Sequence, residues 1–290
     1  MLELPEERIE NQWCPGCPNF GILTAVRRAL ETLEIPPHQR CLVSGIGQAA
    51  KLPHYLPCNL FNGLHGRAVP AATAIQVANP QLATIVTTGE GDCYGEGGNH
   101  FLHALRRNPN ITLIVHDNRL YALTKGQASP MTPLGERTRL QIHGTESSPM
   151  RPLATAIVHD CGFVARGFAG DIDQLAELLV AAISYRGLSI VDVIQPCITW
   201  GGHPMSWYRE RIAPVNDSYD PTNRAAALLI TSSDQTPVST GVLFRGQERP
   251  CFGDRFRADR GWGDTPMMSL QRVSPQEVSA RAEAMRVAPQ

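Results

Sequence analysis

The chain has 290 residues, 42% of them hydrophobic, with 26 Lys plus Arg against 27 Asp plus Glu and a formal net charge of −1. That length suits one large α/β domain with extra segments, and the near-neutral charge excludes a global field for nucleic acid or an anionic membrane. No stretch approaches the ~20 apolar residues that span a bilayer. The polar opening MLELPEERIENQ lacks the layout of a secretory signal, so a cytoplasmic protein is expected.

Residues 19–34 carry apolar side chains at helical spacing behind Asn19, which is expected to cap them. RCLVSG (40–45) has the pattern of a short buried strand ending in glycine. AVPAATAIQVA (68–78) predicts a helix of small residues that packs closely on a sheet. LATIVTTG (82–89) is a β-branched strand running into a glycine-rich turn, followed by a helix over 97–108 and a strand over 111–118. Residues 119–152 are polar and rich in Gly, Pro, Ser and Thr, which marks a functional or mobile loop. Asp171 caps a helix that Gly187 stops, and 189–196 is another strand. Beyond about residue 215 the pattern weakens. One more strand is expected over 236–246, a linker over 257–272, and a short terminal helix opened by the capping box Ser274-Pro275-Gln276-Glu277.

Strands alternating with helices predict an α/β fold, a doubly wound and mostly parallel sheet. The expected division is a main domain over 1–215, an irregular C-terminal extension over 216–256 packing on it or on a partner, and a linker with a short helix over 257–290. Ligands of such sheets sit beyond the carboxyl ends of the strands. The candidate loops therefore follow Ser44, Thr88, Asn118 and Pro196.

Two groups of residues carry chemistry. Gly89-Glu90-Gly91-Asp92 lies at one strand end, and Asn118 lies at the next. Glycines there let backbone approach a diphosphate, while a carboxylate, an amide oxygen and a main-chain carbonyl suit Mg²⁺. The second group is Cys14-Pro-Gly-Cys17 with the distant Cys197. A C-x-x-C turn offers two thiolates to a metal cluster, to zinc or to redox exchange. Of the eight cysteines, Cys41, Cys161 and Cys251 read as buried fillers. Cys93, inside the glycine-rich loop, stays open. Lys51 and Lys125 are the lysines of an arginine-rich chain, so each is a candidate for a role that guanidinium cannot imitate. His65, in a Gly-Leu-His-Gly-Arg loop, reads as functional. His100, His103 and His116 read as hydrogen-bonded core residues.

The run GEGDCYGEGGNHFLHALRRNPNITLIVHDNRLYALTKGQASP resembles the thiamine diphosphate signature of 2-oxoacid:ferredoxin oxidoreductase beta subunits. So do WCPGC (13–17), SGIGQAAKLPHY (44–55), NGLHGRAVPAATAIQVANP (62–80), FVARGFAGD (163–171) and VDVIQPC (191–197). The resemblance implies that Glu90, the Asn118 side chain and the Leu120 carbonyl hold Mg²⁺. It implies that Gly91, Asp92, Ala122 and Leu123 border the diphosphate beside Gly89. Ile46, Gly47, Gln48, Ala49, His65 and Gly66 would border the other side of the cofactor. Lys51 matches a lysine facing the substrate or coenzyme A, and His65 is its companion as a catalytic candidate. Cys14, Cys17 and Cys197 match three ligands of a 4Fe-4S cluster.

Three positions depart from the family pattern: Glu90 stands for aspartate, Ala122 for glycine and Gln48 for the remaining cluster cysteine. Cys58, ten residues further on, is a candidate to replace that cysteine. The implied activity is oxidative decarboxylation of a 2-oxoacid to acyl-CoA and CO₂, with electrons passed to ferredoxin. A separate alpha subunit would supply the pyrimidine-facing glutamate. Alternatives are a thiamine-dependent decarboxylase subunit without a cluster and a non-catalytic interaction subunit.

Overall fold

The computed structural model describes residues 9–233 and 236–270, together with Gln276, Ser279 and Glu283. The expected capping residues Ser274, Pro275 and Glu277 lie outside the described residues.

The strands are β1 (Arg40–Ser44), β2 (Asn59–Asn62), β3 (Ala83–Gly89), β4 (Thr112–Asp117), the short hairpin pair β5 (Leu120–Tyr121) and β6 (Gln127–Ala128), β7 (Phe163–Phe168), β8 (Ser189–Ile194), β9 (Ile212–Pro214) and β10 (Val238–Arg245). The helices are α1 (Asn19–Thr32), α2 (Ala68–Ala78), α3 (Gly98–Arg107), α4 (Pro152–Val158), α5 (Ile172–Ser184), α6 (Met205–Arg209), α7 (Arg224–Ser232) and α8 (Phe252–Ala258). Eight strands form one sheet in the order β2-β1-β3-β4-β8-β7-β10-β9. Its pairings are parallel except β10 with β7.

Successive side chains of a strand face opposite sides, and here both sides are buried. Leu42, Ile85, Ile114 and Val191 pack in one layer with α1 and α5. Their neighbours Val43, Val86, Leu113, Val115 and Ile190 pack in the other with α2, α3 and α4. Central strands covered on both faces read as continuous apolar runs rather than alternating ones, which is why RCLVSG and LATIVTTG were recognisable as strands.

Of the strands that escaped the pattern, β2 and β7 did so for opposite reasons. All four residues of β2 are exposed at the sheet's edge, so no apolar period marks it. β7 reads FVARGF, and Arg166 with Gly167 interrupts its run. Asn19 does not cap α1: Pro18 occupies that position, and Asn19 is buried in the first turn. Asp171 does cap α5, accepting from the Gln174 amide at 3.1 Å.

The connections place the site. From β1 the chain steps outward to β2 and then crosses back to β3 on the other flank of β1. This reversal opens a crevice beyond the carboxyl ends of β1 and β3. After β3 the chain makes a π-helical turn over Gly91–Glu96, with the Gly97 amide bonding Asp92 O at 2.9 Å. Such wide turns recur at functional sites. After β4 the loop to Arg151 folds back as the β5–β6 hairpin.

Candidate cofactor site at the strand ends

One cavity occupies this crevice. Ile46, Gly47, Gln48 and Ala49 line it from the turn after β1, and His65 from the loop after β2. Gly89, Glu90, Gly91 and Asp92 come from the end of β3, and Asn118, Leu120, Ala122 and Leu123 from the segment after β4. β3 and β4 are neighbours, with Gly89 opposite His116, so Glu90 and Asn118 share one wall.

Asp92 is the clasp of this wall. Its Oδ2 accepts from Thr88 Oγ1 at 2.7 Å, and its Oδ1 accepts from the Gly66 amide at 2.7 Å and the Ile46 amide at 3.3 Å. His65 Nδ1 lies 2.7 Å from the same oxygen. One buried carboxylate thus ties three loops together. Gly66 stands behind the wall with φ +72°, and a Cβ there would meet the Glu96 backbone at 2.5 Å. Gly91 lines the cavity and also makes room for Tyr121, because a Cβ on it would strike that ring at 2.4 Å. Ala122 sits in ordinary backbone, because the positive-φ residues of this segment are Arg119, Lys125 and Gly126.

Glu90 is 1% exposed. Its Oε1 accepts from Ser129 Oγ at 2.8 Å, and its Oε2 is buried without a partner. Burial raises its pKa well above the usual carboxylate range, and the nearby Asp117 and Asp192 raise it further. A buried carboxyl oxygen with nothing to bond is costly, and a cation beside it relieves that cost. Asn118 Oδ1 accepts from the Leu120 amide at 2.9 Å and keeps a second lone pair.

His116, expected to be a core residue, is buried, and its Nδ1 bonds Asn19 Oδ1 at 2.8 Å. Burial depresses its pKa to about 3, so it is neutral. Its Nε2 has no partner among the described residues, and the residue lines the cavity. Gln195 also lines it. Sequence reasoning missed Gln195, Ser129 and Tyr121, because each acts through a contact that no motif spacing encodes.

Lys51 lies on the short helix Ala49–Tyr55, outside the cavity lining, with Nζ 3.5 Å from Gln12 O.

Cys14, Cys17 and Cys197 gather beside the cavity. Cys17 closes its turn by bonding Cys14 O at 3.0 Å. Each sulfur has a donor: Thr199 Oγ1 at 3.3 Å from Cys14, Gln195 Nε2 at 3.8 Å from Cys17 and the Trp200 amide at 3.4 Å from Cys197. Burial pushes the Cys17 thiol up to about 11, with Cys14 and Cys197 adding to the shift. Cys58 does not join them. Its Sγ bonds Pro53 O at 3.6 Å, and its electrostatic neighbours are Cys41 and Arg40, at the amino end of β1. Among the described residues no three His, Cys, Asp or Glu side chains are posed around one metal ion. A cubane spreads its thiolates over separate irons, so it does not need sulfurs aimed at one point.

Residues 42–193, from β1 through β8, match the family model "Thiamine pyrophosphate enzyme, C-terminal TPP binding domain". Residues 197–259 match the family model for the C-terminal part of the pyruvate ferredoxin oxidoreductase beta subunit. The chain is 45% identical over 253 residues to a 2-oxoacid:ferredoxin oxidoreductase subunit beta of Saccharolobus solfataricus, covering 82% of each chain. It is 40% identical over 259 residues to 2-oxoacid:ferredoxin oxidoreductase 2, subunit beta, of Aeropyrum pernix, covering 84% of this chain and 83% of that one. This chain belongs to the 2-oxoacid:ferredoxin oxidoreductase beta subunits. A solved 2-oxoglutarate:ferredoxin oxidoreductase from Magnetococcus marinus superposes with TM-score 0.86 at 31% identity, covering 96% of this chain and 94% of that chain. The beta-subunit fold therefore extends past β8, through the sheet's last two strands, and the crevice lies inside its thiamine-binding module.

Proposed function

We propose that this chain is the thiamine-diphosphate-binding subunit of an enzyme that oxidatively decarboxylates a 2-oxoacid to acyl-CoA and CO₂ and passes electrons to ferredoxin. One observation carries the site assignment: the buried, partnerless Oε2 of Glu90 beside Asn118, in a cavity at the reversal of strand order. Glu90, Asn118 and the Leu120 carbonyl offer an oxygen set suited to Mg²⁺, and glutamate serves here in place of aspartate because Ser129 holds its other oxygen. A Cβ on Gly89 would meet open space, which leaves room for a diphosphate. When bound, thiamine diphosphate supplies the carbanion chemistry that releases CO₂.

This chain's residues bind and orient. Asp92 fixes His65 and the amides of Ile46 and Gly66. Neutral His116 offers Nε2 as an acceptor to whatever fills the cavity. Of the nearby carboxylates, Asp92 is held in its clasp, Glu90 faces the cation, and Asp117 and Asp192 are buried near Arg166, so the base facing the pyrimidine is assigned to an alpha partner. Lys51, outside the cavity, is free to meet substrate or coenzyme A at that junction. Among the described residues no helix is long and apolar enough to cross a membrane, in keeping with a cytoplasmic enzyme.

Cys14, Cys17 and Cys197, each with a donor at its sulfur, fit three ligands of an iron–sulfur cluster. Position 48 brings an amide in place of a fourth thiol, and this favours a second reading, a thiamine-dependent decarboxylase subunit without a cluster. Iron counting on complex purified without air separates the two.

The central test is thermal melting of the complex assembled with its alpha partner. Saturating thiamine diphosphate and Mg²⁺ should stabilise it by about 2.7 kcal/mol at one hundred times Kd. Glu90→Gln should abolish the shift and the 2-oxoacid-dependent reduction of ferredoxin. A wild-type complex that melts identically with and without the pair refutes the assignment.

A further inference from the structure

Gln195 is the first residue beyond β8, and its amide bonds Asp117 O at 2.8 Å, extending the β4–β8 ladder by one step. It is 3% exposed. Its side chain stands between the oxygen-lined cavity and the thiol group, and touches both. Asn118 Nδ2 lies 3.5 Å from its Oε1, and its Nε2 lies 3.8 Å from Cys17 Sγ.

The orientation of these amides follows from one backbone donor. The Leu120 amide donates to Asn118 Oδ1 at 2.9 Å, which sets Asn118 with Oδ1 toward Leu120 and Nδ2 toward Gln195. Nδ2 in turn needs an acceptor, so Gln195 presents Oε1 to it. Only the Nε2 group then remains to face Cys17. Reversing Gln195 would set two NH₂ groups against each other and turn an oxygen onto the sulfur lone pairs. Both contacts are long, so neither contributes much energy. Direction, rather than strength, is what the arrangement supplies.

We infer that Gln195 is a positioning residue that couples the two halves of the site, an inference that rests on the function proposed above. Toward the cavity it accepts from Asn118 Nδ2 and so supports the orientation that the Leu120 amide sets, with the Asn118 oxygen available to a cation. Toward the thiols it donates an N–H to Cys17. A donor at a ligating sulfur draws charge from it and makes the attached cluster easier to reduce. Two residues on, Cys197 leaves the same strand end, with Pro196 stiffening the step between them. One side chain therefore sets the cation ligand on one side and the thiolate on the other.

The test uses the alpha–beta complex purified without air. Gln195→Met keeps length and neutrality and removes both contacts. Affinity for thiamine diphosphate with Mg²⁺ is read by titration calorimetry, and the cluster's midpoint potential by a redox titration followed by electron paramagnetic resonance. Gln195→Met should bind the cofactor pair about tenfold more weakly and shift the potential to more negative values. Should that variant fail to assemble, Gln195→Asn, too short to reach both partners, should move both readouts in the same directions. A purely structural role would lower the melting temperature and leave the potential alone. If the wild type holds thiamine and iron while the variants keep its potential or its cofactor affinity, the inference is overturned. If the wild type holds neither, the functional reading itself fails and the inference goes with it.

Discussion

Asp117, Asp192 and Arg166 line one cavity, and both carboxylates act electrostatically on Arg166 and on Glu90. Tyr94, in the π-helical turn, donates to Asp192 Oδ2 at 2.9 Å. Burial, and then the neighbouring Asp117, push the Asp192 carboxyl up to about 7, with Arg166 acting in the other direction. A carboxyl whose folded pKa lies above its unfolded value adds most stability below about pH 4. That stability is lost as pH rises toward about 7. Asp192→Asn mimics the protonated form. It should cost little relative to wild type at pH 5, and should gain on wild type by a few kcal/mol at pH 8, at roughly 1.4 kcal/mol per unit of pKa shift. Urea melts of both proteins at the two pH values check this, and a difference that does not change with pH refutes it. Much at this scale was legible in the sequence, because Gly89 to Asp92 and Asn118 sit in a contiguous motif. Arg166, Ser129 and Gln195 were not. Their roles depend on partners far away in sequence, up to 178 positions for Gln195 and Cys17, and only the folded chain brings those together.

At the scale of elements, legibility tracked burial. The small-residue helix α2 falls where its spacing placed it, over Ala68–Ala78, because it is covered by the sheet and carries no competing signal. The exposed edge strand β2 carries no period at all. Asn19 looked like a cap by residue type, yet its oxygen is taken by His116, and a tertiary partner overrode the local preference. Asp171 has no such competitor and caps α5. Replacing a capping Asp by Ala removes the acceptor for one orphan amide, so Asp171→Ala should destabilise by about 1 kcal/mol without altering the cavity. Chemical denaturation should report this loss, and cofactor affinity should stay within error of wild type. A fall in cofactor affinity would mean that α5 positions the site more directly than its packing on α1 suggests.

For the whole molecule, the notable feature is what the fold leaves uncovered around the cavity. Phe61 is 48% exposed and Leu64 is 74% exposed, on and just after the edge strand, with Ile46 and Leu123 also exposed at the rim. A row of unpaired strand groups beside apolar side chains is a liability that proteins cover. The cavity opens beside Ile46 and Leu123, and in the function proposed above the alpha partner's acid would reach the cofactor through this mouth. Both considerations point to the same face. Leu64→Glu should therefore weaken association with the alpha partner by at least tenfold. It should leave the isolated chain's melting nearly unchanged, because an exposed substitution alters stability by about 0.5 kcal/mol or less. Calorimetric titration of the two subunits reads the first effect and a thermal melt the second. If association survives Leu64→Glu unchanged, the partner approaches from another side.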